Sequence, residues 1–265
     1  MTTECSLRRS LAIQLRVVGA LLLREVLTRF GRHNIGFLWL FVEPMLFTLV
    51  IAAVWYWVRD KGLHGSNLPI LPFAITGYST ILLWRNAANR CASAVRPNVA
   101  LLYHRNVAVI DLFAARLLLE IAAATGSLVV LLGALVFLGQ ADRPADLLTM
   151  VGGWLLLVWF AIALGLIIGP LAERSSAFHR IWQMLHYPLF PLSGALFLVD
   201  WLPAQVQTII LWVPMVNGVE MLRAGYYGSA IQSHYSAGYL AMVNVIMLWF
   251  GLKLVEHSKR MVSSE

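Results

Sequence analysis

Three sets of carboxylate and guanidinium groups lie in or beside apolar stretches, where an unpaired charge is costly and a charged side chain marks a functional position by default. Glu43 is the only charged residue in the run from Gly36 to Val58, about 10 Å along a helix from its start. It either faces water on a transport path or pairs with Arg85 or Arg90 at the end of a neighbouring span. Pro44 follows it and frees a backbone carbonyl, which predicts a local kink. Arg116 and Glu120, four apart, can share a helix face as a structural pair. Glu220 and Arg223, three apart, sit in an apolar segment too short to cross a bilayer. They form either a helix-surface ion pair or the hinge of a gate.

Enzymatic chemistry finds no support in the motifs. Lys61, Lys253 and Lys259 are the only lysines, and none precedes Ser or Thr. A phosphate-cradling P-loop is therefore excluded, and the chain cannot bind and hydrolyse ATP by that route. There is no GxSxG or HExxH motif. The two cysteines, Cys5 and Cys91, lack CxxC spacing, and the seven histidines are scattered, so neither a metal site nor a disulfide framework is expected.

The elements that must position these groups follow from charge and hydropathy. The chain of 265 residues is 60% hydrophobic with a net charge of +7 and a mean hydropathy of +0.74. Its basic residues crowd alternate gaps between apolar runs, which predicts six spans with both termini cytoplasmic. The surplus charge is topology and contact with anionic lipid rather than a nucleic-acid footprint. The spans are predicted at 36–58, 70–84 (continuing as helix past Asn86), 112–138, 147–171, 181–199 and 239–255. Pro188 and Pro191 should kink the fifth. No cleavable signal peptide is expected, because the run from Val17 to Leu23 is short and bracketed by Arg16 and Arg24. Residues 1–35 form a cytoplasmic segment, 36–255 the six-span domain and 256–265 a cytoplasmic tail.

Two further elements are predicted. Residues 22–32 form an amphipathic helix with Leu22, Leu23, Val26, Leu27 and Phe30 on one face and Arg24, Glu25, Arg29 and Arg32 on the other, suited to the membrane interface. Between spans five and six, 203–213 and 215–227 are apolar but short. Pro214 separates them, which fits a re-entrant hairpin buried in protein or lining a wet cavity. The fold class is thus an all-α integral membrane protein with six transmembrane helices, an N-terminal interface helix and a re-entrant outer hairpin.

The run LLLREVLTRFGRHNIGFLWLFVEP at 21–44 resembles the start of the permease subunit of capsular-polysaccharide ABC exporters. VIDLFAARLLLE at 109–120, PLSGALFLVDWLP at 191–203 and VEMLRAGYYG at 219–228 resemble later segments in the same order. Two departures are visible: where the family carries Asn-Pro and a His in the outer segment, this chain has Val213-Pro214 and Asn217. The resemblance implies a transport subunit of the bacterial inner membrane, not an enzyme. It implies a homodimer with two ATP-binding-cassette subunits that hold MgATP, moving a lipid-anchored glycan to the periplasm toward outer-membrane export components. Alternatives of the same architecture are export of O-antigen, teichoic acid, another lipid-linked glycan or a small hydrophobic compound; a membrane-embedded transferase and an assembly factor are rivals of other classes.

On that reading, 97–107 is a coupling helix that receives the stroke of the ATPase. Leu101, Leu102 and Tyr103 make its knob and Arg96, His104 and Arg105 its rim, with Pro97 and Asn98 at its start. Trp39, Glu43, Trp55, Tyr56, Trp57 and Phe197 are channel candidates. Pro214, Asn217, Glu220, Arg223, Tyr226 and Tyr227 form the outer gate. Arg24 and Arg29 are placed to meet a lipid anchor's phosphate.

Overall fold

The computed structural model describes residues 2–30, 36–60, 68–102 and 107–262, with side-chain surroundings for 12–28, 41–54, 68–102 and 107–258. Among these residues the chain is helical throughout, with ten α-helices: α1 (Thr2–Phe30), α2 (Gly36–Asp60), α3 (Ile70–Ala92), α4 (Val99–Leu102), α5 (Val109–Phe137), α6 (Leu147–Arg174), α7 (Ser176–Leu192), α8 (Ala204–Ile210), α9 (Pro214–Tyr227) and α10 (Ala237–Val262). By length and composition α5, α6 and the Ala237–Ser258 part of α10 can each cross a bilayer. A shorter apolar stretch, Phe41–Val54, lies in α2.

The core is built around α3. From Pro72 to Trp84 every residue of this helix is buried, as expected of a helix enclosed on all sides. It packs most extensively on α6, then on α5 and α2. Its buried hydroxyls are satisfied locally: Thr76 donates to the Pro72 carbonyl at 2.8 Å and Thr80 to the Gly77 carbonyl at 2.6 Å. As predicted, α3 continues past Asn86. Helix α6 starts on Asp146, whose carboxylate accepts from the Leu148 and Thr149 amides at 3.0 and 3.2 Å. Helix α9 presses against α6 so closely that a Cβ on Gly153 would lie 2.6 Å from the Leu222 nitrogen, inside van der Waals contact.

Three sequence expectations are corrected. The N-terminal helix is not confined to 22–32; α1 is helical from Thr2 onward. Its apolar residues are also split, with Val26 buried beside Leu22, Leu119 and Ala123, while Leu23 and Leu27 are exposed. The protein-facing stripe instead takes in the half-buried Glu25, expected on the polar face, together with Gln14. The predicted fifth span corresponds to α7, which starts at Ser176 and ends at Leu192 rather than running from 181 to 199. Pro188 and Pro191 remove two backbone donors from its last turns. Gly194 then adopts φ +80°, a left-handed turn natural to glycine, and a 3-10 turn follows at Val199–Trp201. The coupling segment is shorter than 97–107. A 3-10 turn at Arg96–Asn98 leads into the four residues of α4, and Val107 and Ala108 are not helical.

Candidate functional site

Two polar clusters sit at opposite ends of α3, from Phe73 to Arg90, about 25 Å apart along the helix. The first centres on Arg223 of α9, which is fully buried. Its guanidinium donates to the carbonyls of Gly194 (2.8 Å), Ala195 (2.5 Å) and Phe197 (2.7 Å) in the turn after α7 and of Phe73 (3.3 Å) in α3. It also lies 3.8 Å from the centre of the Phe73 ring, a cation–π contact. Five donors in a planar fork suit one arginine to several carbonyls at once. Gly77 makes room for it: a Cβ there would fall 2.6 Å from the Arg223 Nη2.

Glu220, one turn earlier and also buried, does not pair with Arg223. Its carboxylate accepts from the amides of Val199 at 3.1 Å and His234 at 3.3 Å. Of the two readings open for this pair, the i,i+3 ion pair is not formed: each charge is spent on the backbone of a different segment. Asn217 completes the set. It donates to the Leu211 carbonyl at 2.8 Å and accepts from the Ser236 amide at 2.9 Å. Tyr226 and Tyr227 are buried, and their hydroxyls donate to the carbonyls of Asp142 and Pro69, both at 3.0 Å. Pro214 is the first residue of α9, where its missing N–H costs nothing. All six residues predicted for the gate are therefore brought onto one helix, and five of them brace neighbouring loops. Phe197 is half-buried among Val199, Ile210 and Val216.

The second cluster joins α1, α3, α5 and the turn at Arg96–Asn98. Arg116 pairs with Glu25 at 3.2 Å and donates to the Arg90 carbonyl at 2.8 Å; Arg90 pairs with Glu120 at 3.2 Å. The expected Arg116–Glu120 pair is corrected, since each residue turns to a different helix. Arg24 donates to the Asn98 side chain at 2.8 Å, and Asn98, buried, donates to the Ala94 carbonyl at 2.8 Å. Gln14 hydrogen-bonds Asp111. Arg96 is exposed, reaching Ser176 Oγ at 3.0 Å and Glu173 at 3.9 Å. Pro97 is exposed, and Leu101 and Leu102 are half-buried, Leu102 packing on the main core. Asn98 and Leu102 thus face inward, contrary to a wholly outward coupling surface. Glu43 lines a cavity of about 70 Å³ with Arg85, Asn86 and Glu120.

Arg32, Tyr103, His104 and Arg105 lie outside the described residues, as do the side chains of Arg29, Trp39, Trp55, Tyr56 and Trp57. Sequence reasoning missed Asn89, whose carbonyl oxygen accepts from the Trp182 indole at 2.7 Å, and the links from α1 to Arg116 and Asn98. No spacing rule reports contacts between helices so far apart in the chain.

Residues 16–227 match the family described as ABC-2 type transporter. The chain belongs to the ABC-2 type transporter family. Similarity to individual proteins extends over nearly its whole length. It is 48% identical over 252 residues to the capsule polysaccharide export inner-membrane protein CtrC of Neisseria meningitidis serogroup B, covering 95% of this chain and 94% of that protein. It is 45% identical over 255 residues to BexB of Haemophilus influenzae, which carries the same description, covering 96% and 95%. The polysialic acid transport protein KpsM of Escherichia coli is 28% identical over 247 residues, covering 93% and 95%. Asn217, Glu220 and Arg223, like Arg24, Glu25, Arg90, Arg116 and Glu120, fall within the matched residues, while Gln14, His234 and Ser236 lie outside them.

Proposed function

We propose that this chain is the inner-membrane permease subunit of an ATP-driven exporter that carries a lipid-anchored capsular polysaccharide from cytoplasm to periplasm. The observation that carries the reading is end-to-end similarity to CtrC, with 48% identity over 252 residues. The sequence supports the division of labour: without a P-loop lysine, the chain takes its stroke from two separate ATP-binding subunits that hold MgATP. Two copies of the chain would enclose one pathway, since a corridor for a glycan needs walls on both sides. Periplasmic and outer-membrane components would receive the product.

On this reading α2, α3, α5, α6, α7 and α10 are the six spans, with both termini cytoplasmic. Helices α8 and α9 form the re-entrant pair, because two short apolar helices joined at Pro214 cannot each cross. The Arg223 cluster then lies at the outer mouth, where Asn217, Glu220, Arg223, Tyr226 and Tyr227 set its shape. The Arg116 cluster lies at the cytoplasmic end. Arg96, Pro97 and Leu101, followed by Tyr103, His104 and Arg105, meet the ATPase, and Asn98 passes the movement to α1 through Arg24. Arg24, Glu25, Arg29 and Arg32 belong to the interface helix beside the lipid anchor. Trp39, Glu43, Trp55, Tyr56, Trp57 and Phe197 are the channel candidates.

The test is removal of the gene from its native host, followed by complementation. Surface polysaccharide should disappear, accumulate inside the cell and return with the wild-type chain. Unchanged surface polysaccharide in the deletion strain would refute the assignment.

A further inference from the structure

The segment from Ser229 to Ser236, between α9 and α10, lines two cavities in succession. Its first half borders a cavity of about 530 Å³ with Asp200 and Trp201; its second half borders one of about 480 Å³ with Thr208 and Trp212. Both volumes fall within the roughly 300–1,000 Å³ of small-molecule sites. The His234 imidazole and the Asp200 carboxylate, 3.7 Å apart, form the bar between them. The strap is held in place from beneath. Buried Glu220 accepts from the His234 amide at 3.3 Å and buried Asn217 from the Ser236 amide at 2.9 Å.

Each cavity carries an indole on its far wall. Trp212 is 72% exposed and meets the Tyr239 ring edge-on at 6.2 Å, while the Tyr239 hydroxyl donates to the Trp212 carbonyl at 2.7 Å. Trp201 stacks on Phe73 at 5.3 Å and is 38% exposed. Neither lining includes Lys or Arg. The polar groups on offer are hydroxyls, amides, one imidazole and the Asp200 carboxylate that faces it.

We propose that the two cavities form one extended saccharide-binding track, with Trp201 and Trp212 as stacking platforms and the 229–236 strap as its hydrogen-bonding wall. The apolar C–H face of a pyranose packs on an aromatic ring, and its hydroxyls exchange hydrogen bonds with Ser233, Ser236 and Gln232. Two platforms in sequence suit a chain of sugars rather than a single one. Without a basic residue in the lining, the hold comes from stacking and neutral hydrogen bonds. It is therefore insensitive to salt, and a passing glycan is guided without being trapped. The inference rests on the polysaccharide-export reading and names the part of the glycan's route nearest the outer mouth.

The experiment uses the full-length permease with its ATPase partner in lipid nanodiscs. The probe is a set of oligosaccharides cut from the surface glycan of the native host. Equilibrium binding is measured for wild type, Trp212→Ala, Tyr235→Ala and, as a control on the opposite part of α10, Trp249→Ala. Trp212 and Tyr235 both line the second cavity and are exposed, so two independent variants report even if one perturbs folding. Binding should weaken roughly tenfold in each, the loss typical of removing an aromatic anchor. It should be unchanged in Trp249→Ala and nearly constant from low to high salt. Wild-type affinity in both Trp212→Ala and Tyr235→Ala, or steep salt dependence, would overturn the track. If gene removal abolishes surface glycan while those variants bind normally, the track alone fails. If removal leaves surface glycan intact, the export reading itself fails.

Discussion

The clusters at the two ends of α3 face the same problem, charge removed from water, and resolve it differently. Around Arg223 the partners are backbone: four carbonyls for the guanidinium, two amides for Glu220 and one amide for the Asn217 oxygen. Around Arg116 the ion pairs join side chain to side chain across α1, α3 and α5, and Arg90 remains 41% exposed. A backbone group cannot exchange its partner unless the segment carrying it moves. A pair of side chains can part and re-form without moving a backbone segment, and Glu25 and Arg90 keep part of their surface in water. On the proposed reading, the Arg223 cluster is a fixed post that shapes the mouth, and the Arg116 cluster a clasp that reopens when the stroke arrives.

The comparison is broken most severely by removing the post. Arg223→Met should destabilise the fold by about 3–5 kcal/mol, because the carbonyls lose their donor and Glu220 its countercharge. Thermal unfolding in detergent, followed by size-exclusion chromatography, would register the loss. Arg223→Lys should recover little, since a point-like ammonium cannot serve carbonyls from two directions. Gly153→Ala comes next. The added methyl presses on the Leu222 backbone, and overpacking of this kind costs roughly 1–3 kcal/mol, visible as a lower melting temperature and a displaced post.

At the clasp the effects should be smaller on stability and larger on transport. Glu25→Gln and Arg116→Gln should each cost about 1–3 kcal/mol, since the pair is largely buried and each change leaves a partner unsatisfied. Their double variant should be less destabilised than the sum, as expected of residues in direct contact. Strict additivity would mean that the two act on separate partners.

The smallest expected effect isolates ordinary helix capping from both clusters. The Thr149 hydroxyl, with the amides of Thr149 and Leu148, holds the Asp146 carboxyl below the ordinary carboxylate range. A depressed value means that the folded state favours the ionised form. Its contribution is thus complete above the unfolded value of about 4 and lost as pH falls through the lower folded value. Asp146→Ala should lower the melting temperature at neutral pH, and the gap to wild type should narrow in acid. A gap constant across that range would assign the effect to something other than the charged cap.

The long apolar helices were legible because their signal is local. Apolar runs placed α5 and α6 to within about three residues at each end and the start of α10 to within two, although α10 continues past the predicted end to Val262, and Pro214 marked the break before α9. The end of α7 was misread because hydropathy continues through Leu196–Val199 after the helix has stopped; Pro191 and Gly194 carried the stop signal. The beginning of α1 was missed because Arg8, Arg9 and Arg16 argue against a span, although they are good helix formers. The pairings were the least legible part. Spacing placed Glu220 beside Arg223 and Arg116 beside Glu120, yet each reached for a group far away in the chain. Long side chains in a packed bundle are claimed by whichever acceptor the tertiary fold presents, and four carbonyls outcompete one carboxylate.

Charge reversal at each end separates post from clasp directly. In the deletion strain, surface polysaccharide would be measured after complementation with Glu25→Arg/Arg116→Glu and with Glu220→Arg/Arg223→Glu, alongside the four single variants. The clasp needs only opposite charges facing each other, so its double reversal should restore much of the export lost in its single variants. The post needs a donor fork aimed at carbonyls and an acceptor aimed at amides, so its double reversal should leave export and folded protein as low as either single change. Recovery at Glu220 and Arg223, with none at Glu25 and Arg116, would contradict the assignment of fixed and exchangeable parts.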